Sequence, residues 1–168
     1  DCDDTAMVAM ALLRAGGVGN RAAAERGIRW LLAMQNDDGG WAAFDRTRDR
    51  RVLEYVPFAD HNAMQDPSCP DITGRVLECL SWSGLRLDHP SVARAIDFIR
   101  AHQEGEGCFF GRWGVNYIYG TWQALEGLRA VGVPSDDPVV RRAAEWLEAH
   151  QQPDGGWDMV RPSPLARR

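Results

Sequence analysis

Three carboxylates stand within four residues in DCDDTAMVAM: Asp1, Asp3 and Asp4. The apolar run behind them has helical spacing. Capping accounts for one or two of the three, because a helix start offers free backbone N–H groups and the positive end of a dipole. A third acid so close is repelled by the others, and crowding of that kind keeps a proton on one carboxyl of a group. A helix dipole and a nearby cation make a carboxyl a stronger donor, and Arg75 in PDITGRVLEC is a candidate for that cation. A strong, protonated carboxyl suits protonation of a weak base. Aromatic residues supply the complement, since Phe58, Trp113, Tyr117, Tyr119 and Trp122 offer π faces to a developing cation. Any one of these rings is as readily explained as core. Acids and rings together point to carbocation chemistry rather than hydrolysis.

The elements that must position these residues are legible as a repeat. Arg26–Trp41 (RGIRWLLAMQNDDGGW), Arg94–Phe109 (RAIDFIRAHQEGEGCF) and Arg142–Trp157 (RAAEWLEAHQQPDGGW) align without gaps. Each has Arg first, then an aromatic, Gln35, Gln103 or Gln151, a turn glycine and a closing aromatic. Helical periodicity runs from the Arg to the Gln, and an Asp/Gly turn ends it. The closing ring returns over the helix end. The Gln amide is placed to satisfy carbonyls at one helix terminus and N–H groups at the next, as a clamp between neighbouring repeats. Phe109 stands where the other two repeats have Trp, which weakens the second clamp.

A further helical pattern precedes each repeat: Asp4 to Ala15, about Asp71 to Ser83, and about Tyr119 to Val131. The outer helices are expected to start near Arg21, Pro90 and Pro138. Strand signals are weak, and the segment from Phe44 to Ser68 is long and irregular. The expected fold is all-α: three helical hairpins stacked as an α/α toroid or barrel, with first helices inside. Stacked in parallel, the hairpins place the starts of the three inner helices, DCDDT, PDITGR and NYIYGTW, on one rim.

Composition narrows the function. The chain of 168 residues is 45% hydrophobic with net charge −5, a balance that does not favour nucleic acid. No apolar stretch approaches a membrane span. The four cysteines lack CxxC spacing, so neither a zinc site nor a disulfide framework is expected. Residues 158–168, DMVRPSPLARR, are read as an irregular basic tail. The chain is expected to be an internal or truncated piece of a longer protein.

DCDDTA is similar to the DxDD motif of class II terpene cyclases, and the three repeats resemble the QW repeats of the squalene cyclase family. PDITGRVLEC and FGRWGVNYIYGTWQ resemble segments of bacterial squalene–hopene cyclases. The resemblance runs from Asp1 to Trp157 and fails in the tail, and it implies that residues 1–157 are a partial catalytic α/α barrel, part of an α6/α6 barrel. It implies proton-initiated cyclisation of squalene to hopene, with some hopanol, and needs no metal and no cofactor. It puts the proton donor on Asp3, with Asp1 and Asp4 supporting it. Tyr119 takes the place of a tyrosine near the acid. Trp113 and Phe58 take those of cavity aromatics, and Asp71 that of a cavity-wall acid. Arg75 stands where some relatives carry a histidine bonded to the acid, and an arginine also stabilises a carboxylate. The family further implies a peripheral, monotopic protein on the cytoplasmic side of the membrane, its membrane contact lying outside this piece, and an isolated piece without activity. Alternatives are a class II cyclase of another polyprene, such as a diterpene or sesquarterpene precursor, and a non-catalytic helical-repeat binding module. An oxidosqualene cyclase fits less well, since that branch resembles VxDCTAE. A prenyltransferase subunit needs zinc ligands that this spacing does not offer.

Overall fold

A computed structural model describes residues 1–46, 51–57, 64–114 and 116–158. Among them are six α-helices: α1 (Cys2–Ala15), α2 (Val18–Met34), α3 (Pro70–Trp82), α4 (Pro90–Ala101), α5 (Asn116–Val131) and α6 (Pro138–Ala149). A short 3-10 turn, Arg51–Tyr55, interrupts the long α2–α3 connection. No strand occurs among the described residues.

Local chemistry sets the helix ends. Asp1 caps α1 by accepting from Asp4 N at 3.1 Å, and Gly16, at φ 72°, stops it. Pro90 and Pro138 open α4 and α6, with His89 and Asp137 as side-chain caps. Three starts precede their expected positions. α1 begins at Cys2 rather than Asp4, because Asp1 itself is the cap; α2 begins at Val18 rather than Arg21; α5 begins at Asn116 rather than Tyr119.

Consecutive helices pair as three hairpins, α1 with α2, α3 with α4, and α5 with α6. The first helices form a continuous layer in the order α1, α3, α5, with α3 in the middle. This is the hairpin array of an α/α toroid. Its core lies between the layers, where Leu31, Trp41, Leu77, Leu80, Ile99 and Leu128 are fully buried. The tightest crossing is between α3 and α5. A Cβ on Gly74 would lie 2.3 Å from the backbone oxygen of Gln123, and one on Gly127 2.4 Å from that of Gly74. Two glycines thus let the inner helices touch backbone to backbone, so that α3 side chains meet α5 side chains near their roots.

The repeat turns behave as clamps. Gln35 Nε2 donates to Gly39 O and to Ser91 O, both at 2.8 Å, joining its own turn to the first turn of α4. Gln103 Nε2 does the same with Gly107 O (2.8 Å) and Val139 O (2.9 Å). The other half of each amide departs from expectation. Its oxygen accepts from an arginine of the next repeat, Arg94 for Gln35 and Arg142 for Gln103, not from backbone N–H. Among the described residues Gln151 reaches only its own turn, at Gly155 O (2.9 Å). Gly39, Gly107 and Gly155 have φ of 92°, 103° and 91°, a region that only glycine enters freely. Trp41 Nε1 donates to Leu31 O at 2.7 Å. Phe109 has no such donor, so the second clamp loses that one bond while its ring stays fully buried.

Candidate functional site

Side chains of all three inner helices meet beside the start of α1, from its first turn, the second turn of α3 and the middle of α5. From α1, Asp3 Oδ1 accepts from Arg75 Nε of α3 at 3.2 Å. From the same helix as Arg75, Glu78 Oε2 lies 3.5 Å from its Nη1. From α5, Gln123 turns its amide oxygen to Arg75 Nε (2.8 Å) and Nη2, the orientation that satisfies both partners. Arg75 Nε is therefore shared between Asp3 and Gln123. The guanidinium also lies over Trp122, 5.6 Å from the ring centroid, and Trp122 meets Tyr119 edge to face at 5.8 Å. One cation thus ties together all three inner helices.

Burial ranks these groups. The Asp3 side chain is 33% exposed, that of Arg75 12% and Glu78 24%. Gln123 is 1% exposed. The acid is open to a visiting molecule, whereas its arginine and the Gln123 amide that holds it are enclosed. Asp1 is committed to capping, and its carbonyl accepts from the Thr5 hydroxyl at 2.6 Å. Asp4 is exposed in the first turn of α1.

One helical turn before Arg75, Asp71 anchors a second group. It is 1% exposed and accepts from Ile72 N (3.0 Å) and Trp113 N (2.9 Å). Its role here is to hold the chain before α5, not to face solvent. Trp113, 38% exposed, packs edge to face on Phe44 at 5.2 Å. Arg112 donates twice to Asp66 Oδ1, at 2.9 and 2.7 Å, and both side chains are largely enclosed. The Tyr119 ring lies flush on Gly114, where a Cβ would fall 2.1 Å from it. Asp3, Arg75 and Tyr119 therefore gather in one cluster, and Asp71 and Trp113 in another. Tyr117 belongs to neither: it is buried and tilted against Trp146, with Cys108 beside them. Phe58 lies outside the described residues.

Several participants escaped the sequence reading. Glu78, Arg112 and Gln123 lie inside the segments PDITGRVLEC and FGRWGVNYIYGTWQ without being singled out there, and Asp66 lies outside them. Thr73 and Thr121 have a signal that was there to use. Thr73 Oγ1 accepts from Trp41 N (3.0 Å) and Thr121 Oγ1 from Phe109 N (2.9 Å), so an inner-helix threonine receives each closing aromatic.

The four cysteines are free, buried thiols. Burial pushes the Cys2 thiol up to about 11, the amino terminus opposing and Asp3 adding to it. Burial likewise raises Cys108 to about 11 and Cys79 to about 12. Cys69 is pushed well above the ordinary thiol value by burial, with Asp71 adding to it. None is a nucleophile at neutral pH. Among the described residues no cluster of His, Cys, Asp and Glu is arranged to hold a metal ion.

A helical-hairpin array with an acid, a guanidinium and aromatic rings on its rim has the parts of a cyclase that starts by protonation. The chain belongs to the squalene-hopene cyclase C-terminal domain family, whose model matches residues 1–163. It is 40% identical over 162 residues to a squalene–hopene cyclase of Zymomonas mobilis, covering 94% of this chain and 25% of that protein. It is 45% identical over 132 residues to sporulenol synthase of Bacillus subtilis, covering 77% of this chain and 20% of that one. A dammaradiene synthase of Dryopteris crassirhizoma is 45% identical over 141 residues, 76% of this chain and 20% of the relative. The chain spans a quarter or less of the length of these relatives.

Proposed function

We propose that the protein carrying this chain cyclises squalene to hopene, with hopanol as the water-capture product, and that Asp3 supplies the initiating proton. The observation that carries the reading is the Asp3–Arg75 pair at 3.2 Å. Arg75 engages Oδ1, which leaves Oδ2 to bear the proton. Transfer of that proton to a terminal carbon of the polyprene forms one C–H bond. The alkene π pair forms that bond and leaves a tertiary cation, while the pair of the broken O–H bond stays on the carboxylate. Negative charge then grows on Asp3 beside a fixed guanidinium, so the attraction is stronger in the transition state than before it. Successive alkenes close the rings. The last cation either loses a proton, giving the alkene, or takes a hydroxyl from water. Trp122 and Tyr119 supply π faces near the start of this path. Asp1 and Asp4 support the acid by charge and by fixing the helix start.

Relatives named for other triterpene products support a second reading at the same site: a polyprene cyclase of the same initiation chemistry but a different product. Residues 1–157 would supply part of the barrel, and the isolated chain would be inactive, because an open hairpin array does not keep water from a carbocation. An apolar substrate further suggests a peripheral protein on the cytoplasmic face of a membrane, with contact made outside these residues. No described helix is long and apolar enough to cross one.

The test is Asp3→Asn in the full-length protein, with products analysed by gas chromatography and mass spectrometry. Cyclisation should be abolished with the melting curve nearly unchanged, and Asp1→Asn and Asp4→Asn should slow turnover less. Substantial activity of a well-folded Asp3→Asn variant would move the acid elsewhere. A product other than hopene from the unmodified protein would select the second reading.

A further inference from the structure

Helix packing, not a local signal, sets the position of Gln123. Gly74, the residue before Arg75, lies so close to α5 that a Cβ there would stand 2.3 Å from Gln123 O and 3.0 Å from Ala124 Cα. The Arg75 and Gln123 side chains therefore leave adjoining backbones and meet inside the α3–α5 interface. Gln123 is 1% exposed and the Arg75 side chain 12%. Their contact is thus independent of what covers the outside of these helices.

The guanidinium is held on every side. Nη1 faces Glu78 Oε2 at 3.5 Å, and the plane lies over Trp122. Nη2 is held by the Gln123 amide oxygen. Nε has two claimants, the same amide oxygen at 2.8 Å and Asp3 Oδ1 at 3.2 Å. The amide is the nearer, so the arginine keeps an acceptor for this hydrogen whether or not Asp3 is charged.

That matters for a carboxyl that must hold a proton and then lose it. A buried guanidinium N–H is costly to leave unpaired. With Asp3 as its one acceptor, Nε would favour the charged carboxylate before any substrate arrived. An amide oxygen does not titrate, and it satisfies Nε while Asp3 is neutral. A carboxylate makes a hydrogen bond roughly twice as strong as a neutral acceptor does, so it draws the hydrogen over as charge develops. Both acceptors are already within reach, and little reorganisation accompanies the exchange. The other acids nearby are placed differently. Glu78 bonds another nitrogen, Asp1 caps α1 through Asp4 N, and Asp4 is exposed.

We infer that Gln123 is a positioning residue for the proton donor: it holds Arg75 Nε beside Asp3 while the carboxyl is protonated, and yields it to the carboxylate that forms. The inference rests on the proposed role of Asp3 as the acid. Gln123 acts on the reaction through Arg75.

Steady-state turnover of squalene by the full-length protein, read beside urea unfolding, tests this. Gln123→Leu should lower kcat about 10- to 100-fold with KM nearly unchanged, since the amide serves the transition state and not squalene binding. Gln123→Met, with a weakly accepting thioether, should fall between the Leu variant and wild type. It carries the comparison if Gln123→Leu does not fold. In the Arg75→Met background, Gln123→Leu should restore stability yet leave kcat where Arg75→Met alone puts it. A merely structural Gln123 would instead give activity that recovers with stability. Recovery of that kind overturns the inference and leaves Asp3 as the acid. So does wild-type kcat in Gln123→Leu or Gln123→Met, a loss carried by KM alone, or a further fall of kcat in the double variant. Activity of a folded Asp3→Asn variant, or none in the wild type, overturns the acid assignment and this inference with it.

Discussion

Replacing Arg75 with Met tests whether one guanidinium joins the three inner helices. Methionine keeps most of the stem and removes the charge and the donors. The Asp3 carboxylate, 33% exposed, then turns to water, and an ion pair so open contributes about 0.2–1 kcal/mol. Gln123 has no such escape at 1% exposure, and its stranded amide oxygen costs about 1–3 kcal/mol. Arg75→Met should therefore destabilise the chain by about 1–4 kcal/mol, and Asp3→Asn by less than about 1 kcal/mol. The discriminating variant is the double one. Gln123→Leu in the Arg75→Met background removes the stranded group and should restore about 1–2 kcal/mol, because replacing both members of a buried polar pair is nearly neutral. The assay is urea unfolding followed by circular dichroism, with the denaturant slope unchanged among the variants. If the two single costs simply add in the double variant, Gln123 and Arg75 are not coupled, and the shared-cation account of the rim is refuted.

Gly74→Ala should lower the urea midpoint, by about 1–3 kcal/mol in stability, although Ala is the better helix former; a gain would mean that the 2.3 Å approach to Gln123 O is absent. Thr73→Val leaves the Trp41 N–H buried without its acceptor and should cost about 1–3 kcal/mol in the same assay, as should Thr121→Val for Phe109. Thr5→Val should cost less than either, since among the described residues the Thr5 hydroxyl bonds only the Asp1 carbonyl. The Asp137 carboxyl is held below its ordinary value of 3.8 first by the Val139 N–H and then by Arg100. A lowered folded value means that its contribution is full above the ordinary value and lost as pH falls through the lowered one. The gap between wild type and Asp137→Ala, about 1 kcal/mol at neutral pH for a lost cap, should therefore close below about pH 4 in unfolding curves taken at stepped pH.

What was legible in the sequence follows its short-range physics. Periodicity, proline and glycine turns carry over a few residues, and they marked six helices and three Gln turns in the right order, two of the turns clamping neighbouring repeats. Helix starts slipped by two or three residues at α1, α2 and α5. Gly17 caps α2 without a side chain, so no residue type announces Val18. Contacts across the layers had no local signature. Gly74 and Gly127 look like helix weaknesses until α5 is seen against α3. Arg112 and Asp66 are 46 residues apart, and nothing in either neighbourhood names the other. The threonine register is an intermediate case. Thr5, Thr73 and Thr121 recur near the start of each inner helix, but the pattern acquires meaning only once a clamp N–H is found pointing at one of them.

The crowding of Asp1, Asp3 and Asp4 resolves through helix geometry rather than through a choice between capping and chemistry. At 3.6 residues per turn, positions 1 and 4 lie near one another along the helix start, and Asp1 accepts from the backbone N–H of Asp4. Position 3 points elsewhere, toward α3, where Arg75 waits in a largely enclosed setting. Asp3 adds no cap, and α1 is stopped and started without it. Its side chain is held by a residue of another helix, which is in turn fixed by Gln123 and Trp122 of a third. A carboxylate kept only for local helix stability has no use for an arginine assembled across three helices. The cost of ordering that arginine is met by groups that Asp3 itself does not need for folding. That asymmetry, a half-open acid on a buried support, is what separates Asp3 from its two neighbours.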